Sequence, residues 1–80
     1  MTDMELDQVR KITPAIASEY LQHLHTTLDI RMALQMGICP FGFAEQKTGS
    51  RRWTYHIDNA RLKAYRRGKM PLMGAPDAGV

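Results

Sequence analysis

The chain has 80 residues, 44% of them hydrophobic and 24% charged, with a net charge of +3. That is one domain at most, with apolar content sufficient for a single core and against global disorder. The uncharged run from Met32 to Ala44 is interrupted by Gly37, Pro40 and Gly42, and no basic-then-apolar leader opens the chain, so neither a membrane nor a secretory role is expected.

Residues 1–11 are polar and weakly patterned, which predicts a flexible N-terminal arm with at most a turn of helix. Thr13-Pro14 is a helix start, a capping hydroxyl followed by proline at the first helical position. Ile16, Ala17, Tyr20, Leu21 and Leu24 then form one apolar stripe, with Leu24 at the border of the next turn. After a break at His23 to Thr26, Thr26-Thr27-Leu28-Asp29 reads as a capping box with Asp in place of Glu. The second helix buries Ile30, Ala33 and Leu34 and stops at Gly37. Two short helices with a tight connection make a candidate helix-turn-helix, here without the glycine often found in the turn.

Pro40 ends any helical continuation. Phe41 to Ala44 and Arg52 to Ile57 alternate with period two, and the polar stretch Glu45 to Arg51 between them contains Gly49, which predicts a β-hairpin with a basic tip. Trp53, Tyr55 and Ile57 share one face and are assigned to the core; Thr54 and His56 take the other. Asp58 caps a third helix, Asn59 to Arg67, with Leu62 and Tyr65 inward and Gly68 after it. Residues 69–80, rich in Pro and Gly without a period, are expected to be a disordered tail. The domain is therefore placed at residues 12–68.

Charge is unevenly distributed. Eight basic residues from Lys47 to Lys69 stand against Asp58 alone, a local +7, while the rest holds three basic and seven acidic side chains, −4. Such polarity fits a phosphate-binding surface. Cys39 is the only cysteine, which rules out an internal disulfide, accords with a cytoplasmic location and favours a buried inert thiol.

No catalytic or metal signature spaces the three histidines, the cysteine and the acids. His23 and His25 form an H-x-H pair, but residues two apart do not face one another on a helix, and a structural zinc site needs four ligands. Gly37 and Gly42 match neither a P-loop nor a dinucleotide fingerprint. No enzyme activity, cofactor, metal or small-molecule substrate is expected.

In a helix-turn-helix the second helix presents its N-terminal and outward residues to base edges in the major groove. Here those are Thr27, Leu28, Arg31 and Gln35, and Arg and Gln are side chains able to bond a guanine or adenine edge in bidentate fashion. Lys47, Thr48, Ser50, Arg51 and Arg52 at the hairpin tip suit a wing that follows the phosphate backbone. Trp53 and Tyr55 as stacking platforms for single strands are a weaker alternative, since so short a chain with one Trp needs it in the core.

The run from Leu34 to Ala44 with Gly37, Pro40, Phe41 and Gly42, then Trp53, Tyr55 and Ile57 and the closing Arg61 to Tyr65, resembles small excisionase-like, MerR-like winged helix-turn-helix proteins of phages and prophages. The resemblance spans roughly residues 12–68. It implies a small α+β winged helix-turn-helix that binds double-stranded DNA as an architectural factor or transcriptional regulator, acting with an integrase or with itself on DNA. By position, Thr27, Arg31 and Gln35 would lie on the recognition helix and Lys47 to Arg52 on the wing. Leu24-His25-Thr26 stands where a shorter turn is usual, which leaves the helix register open by a residue or two. The alternative on the same fold is a phage protein-interaction module, which an exposed apolar patch at Leu28 and Met32 would favour.

Overall fold

Four helices and one hairpin succeed each other along residues 1–68, the part that the computed structural model describes: α1 (Asp3–Asp7), α2 (Pro14–Tyr20), α3 (Thr27–Gln35), β1 (Gly42–Gln46), β2 (Trp53–Ile57) and α4 (Asn59–Arg66). The tail expected over 69–80 lies outside the described residues. No described helix is long and apolar enough to cross a membrane.

The helix starts follow local chemistry. The hydroxyls of Thr13 and Thr26 and the carboxylate of Asp58 each accept the backbone N–H three residues on, at 3.2, 3.1 and 2.8 Å. α3 ends on Gly37 at φ +74°, where the N–H of Ile38 reaches Ala33 O and that of Gly37 reaches Leu34 O. That pairing satisfies two of the last free carbonyls. α2 ends in the same hydrogen-bond pattern without a glycine. Gln22 and His23 adopt φ of 58° and 61°, and His23 N–H donates to Ser18 O. The side chain of Ser18 then holds the turn from inside, its Oγ donating to His25 O at 2.7 Å. The absent turn glycine is thus replaced by two residues in a costly conformation, tied down by a buried hydroxyl.

The expected loose arm is instead part of the core. Thr2 and Glu5 make a reciprocal capping box, and α1 inserts Leu6, fully buried, among Ile12, Tyr20, Ile30, Leu34, Phe41 and Leu62. Ala17, Leu21 and Ala33 complete this cluster with Cys39, whose thiol burial pushes upward in pKa, as an inert core thiol requires. Leu24 leaves the stripe and is exposed.

The hairpin pairs antiparallel with Gly42 opposite Ile57, Phe43 opposite His56 and Gln46 opposite Trp53. Tyr55 and Ile57 pack on the core, as their alternation requires. Trp53 shares their face but does not join the core; it is half-buried at the tip end of β2, which corrects its expected role. Where β1 enters, Gly42 lies so close that a Cβ would stand 2.2 Å from His56 O and 3.1 Å from Leu34 Cδ2. Phe41 O accepts the N–H of Asp58 at 2.8 Å, which closes the base of the hairpin onto the start of α4.

Candidate nucleic-acid interface

α3 buries Ile30, Ala33 and Leu34. At 3.6 residues per turn the line opposite this face runs through Leu28 and Met32, with Gln35 and Arg31 on one flank and Met36 and Asp29 on the other. The exposures agree: Leu28 is 61%, Met32 48% and Met36 65% accessible. Arg31 is exposed and Thr27 half-buried. Gln35 is committed to the hairpin, its Nε2 donating to the Tyr55 hydroxyl at 2.7 Å. The Arg31–Gln35 flank therefore faces the hairpin side of the molecule, and the outermost line of α3 is apolar.

The hairpin tip turns over Lys47 to Ser50, with Ser50 N–H donating to Lys47 O at 2.9 Å and Gly49 at φ +82°. Ser50 Oγ accepts the N–H of Arg52 at 3.1 Å, which orders the loop ahead of β2. Lys47, Thr48, Arg51 and Arg52 are exposed and Ser50 is half-buried.

Ion pairing redistributes the charge that the sequence places on the C-terminal half. Lys63 Nζ meets Asp7 Oδ1 at 2.6 Å, Arg67 Nη2 meets Asp3 Oδ2 at 3.0 Å, and Arg66 lies 3.7 Å from Asp3. Arg66 also stacks its guanidinium 4.5 Å from the centre of the Tyr20 ring. The aspartates of α1 thus pair with the cations at the C-terminal end of α4. Among the described residues, the cations without an acidic partner are Arg31 on α3, Lys47, Arg51 and Arg52 at the tip, and Arg10, Lys11 and Arg61.

The last three were not singled out from sequence. They line a groove of about 710 Å³ between the α1–α2 connection, the hairpin base and the start of α4. Only Arg61 belonged to the expected basic cluster, and nothing in the local pattern brings Arg10 and Lys11 beside it. On the outer hairpin face His56 stacks on Phe43, with ring centres 4.7 Å apart, and bonds Glu45 at 2.7 Å.

The histidine pair has structural duties. His25 is hydrogen-bonded to the Tyr65 hydroxyl at 2.7 Å, and His23 occupies the left-handed turn. Among the described residues no group of three His, Cys, Asp or Glu side chains is placed to hold a metal ion.

Comparison of the chain with protein-family models, with curated proteins and with solved structures returns no match. The small α+β arrangement of four helices and an antiparallel hairpin stands on its own geometry.

Proposed function

We propose that this protein is a small winged helix-turn-helix that binds double-stranded DNA, with α3 in the major groove and the hairpin tip on the adjoining backbone. One observation carries the reading. The acids of α1 pair with Lys63, Arg66 and Arg67, while Arg31 of α3 and Lys47, Arg51 and Arg52 of the hairpin tip, like Arg10, Lys11 and Arg61 at the groove, have no acidic partner among the described residues. Unpaired positive charge on an exposed helix face and an exposed loop is what phosphate contacts require. The Gln35–Tyr55 bond supports the reading by holding helix and hairpin in one orientation.

The resemblance of the glycine-proline and Trp-Tyr-Ile motifs to excisionase-like proteins of phages supports a finer assignment. On it, the protein is a mobile-element architectural factor or small regulator in a bacterial cytoplasm, acting with an integrase or with further copies of itself on DNA. The role is binding without catalysis.

Fluorescence-anisotropy titration of random duplex DNA at two salt concentrations tests this. Binding at low salt that weakens steeply as salt rises is the expected result; no binding at low salt, or no salt slope, overturns it.

A second reading, a protein-interaction module, is favoured by the exposed line of Leu28, Met32 and Met36. Salt-insensitive association with a protein partner, without affinity for duplex DNA, would establish it.

A further inference from the structure

The summit of α3 is apolar, with Arg31 on the flank toward the hairpin and Asp29 on the other. Leu28 and Met32 are four residues apart, within about 40° of each other around the helix axis. They stand opposite the buried face formed by Ile30, Ala33 and Leu34. Arg31 lies beside them toward the hairpin, and Gln35 has one amide hydrogen held by Tyr55. A helix entering a groove about 12 Å wide meets base edges first with its outermost line, which here is made by the apolar Leu28 and Met32, with Gln35 at its edge turned toward Tyr55. One feature of the major-groove edge is apolar, the C5 methyl of thymine.

We infer that Leu28 and Met32 read thymine methyl groups, so that the protein selects duplex sites by the placement of thymines and uses Arg31 as a flanking contact. This rests on the DNA-binding reading above. Charge decides the occupant: a face that only joined two protein copies would gain nothing from Arg31 beside it and the unpaired cations of the hairpin tip, whereas a polyanion requires them. Met32 and Met36, unbranched and flexible, can follow methyl groups at slightly different heights in the groove.

Uracil differs from thymine by that methyl alone, which makes the test direct. Duplexes recovered from a random pool by selection on the full chain are synthesised once with thymine and once with uracil, and anisotropy is read on both. The thymine duplex should bind about fourfold more tightly for each methyl covered, the equivalent of about 0.8 kcal/mol per buried carbon. The Leu28→Ser/Met32→Ser variant, altered only at exposed positions and checked for unchanged circular dichroism, should bind both duplexes alike and keep its salt slope. Equal affinity of the unaltered protein for the two duplexes overturns the inference while leaving DNA binding intact. So does a selection that enriches no thymine. A variant that still discriminates, but no longer self-associates in sedimentation, overturns it in favour of an interface between copies. Absence of binding to either duplex at low salt removes the DNA reading itself, and this inference with it.

Discussion

Gln35 on the exposed face of α3 donates through Nε2 to the hydroxyl of Tyr55 on β2 at 2.7 Å, across twenty residues of sequence. This bond joins the two surfaces that would grip DNA. An exposed neutral hydrogen bond contributes only about 0.5–1.5 kcal/mol, so its loss should matter more for orientation than for stability. Tyr55→Phe is expected to lower the unfolding free energy by no more than about 1 kcal/mol. Duplex affinity should fall, and the hairpin amides should exchange faster. A double-mutant cycle with Gln35→Ala checks the pairing: the second change should add almost nothing once the first is made.

Leu6 defines a second expectation. It is fully buried in the same cluster as Ile30, Leu34 and Phe41. Truncating such a residue costs about 2–5 kcal/mol, a large share of what a small single core provides. Leu6→Ala should therefore shift the urea midpoint strongly, or leave the chain unfolded at 37 °C. A change within about 0.5 kcal/mol, the size usual for surface substitutions, would mean that α1 is not part of the cooperative unit.

That helix also marks where sequence and structure part company. The starts of α2, α3 and α4 were legible because Thr13, Thr26 and Asp58 act on N–H groups three residues away. The hairpin was legible from its alternation. α1 was not, because it contributes one buried leucine and is held by Asp3 and Asp7 to α4, 56 to 64 residues along the chain. Periodicity carries no trace of such contacts. The misplacement of Trp53 has a related cause, since alternation tells which face a strand residue takes but not how far the core extends beneath it. At the candidate interface, residue types were readable and their ranking was not: Arg31 and Gln35 stood out by chemistry, whereas the helix summit belongs to Leu28 and Met32.

Acid should loosen α1 first. The Lys63 ammonium, and after it the Asn59 amide, hold the Asp7 carboxyl below the usual carboxylate range. Glu5 is lowered too, by the backbone N–H of Thr2 and then by its hydroxyl. A folded-state pKa that is depressed contributes stability above the unfolded value, about 4, and that contribution is lost as pH falls through the folded value. The melting temperature should change little between about pH 7 and 5 on this account, and decline below about pH 4. Asp7→Asn should remove part of that decline and lower the plateau. An unchanged acid limb in the variant would show that the Asp7–Lys63 pair does not hold α1.

The turn between α2 and α3 offers a stabilising change. Gln22 sits at φ 58° at the end of α2, where glycine is the usual occupant. A left-handed conformation costs a residue with a Cβ about 1–2 kcal/mol, part of which glycine gives back through its freer unfolded state. Gln22→Gly should raise stability by about 0.5–1 kcal/mol. Gly42→Ala should do the reverse, because its new methyl would meet His56 O at 2.2 Å. The backbone oxygen cannot move aside without opening the hairpin, so a loss of about 1–3 kcal/mol is expected in chemical denaturation.

The two arginine pairs of this chain should behave as opposites. Arg51 and Arg52 at the hairpin tip have no acidic partner among the described residues, whereas Arg66 and Arg67 are within 4 Å of Asp3. If the tip touches phosphates, Arg51→Ala/Arg52→Ala should weaken binding to all duplexes alike and reduce the salt slope by about 1 for each phosphate no longer neutralised. Its thermal stability should hardly move, as both side chains are exposed. Arg66→Ala/Arg67→Ala should lower stability, since it strips the cationic partners of Asp3 and the guanidinium over Tyr20, yet keep the salt slope. Formal charge is reduced equally in the two variants, so attraction by net charge alone predicts the same loss of affinity in both. Only a located interface separates them, and a matched fall in salt slope would count against the hairpin tip as the phosphate-binding element.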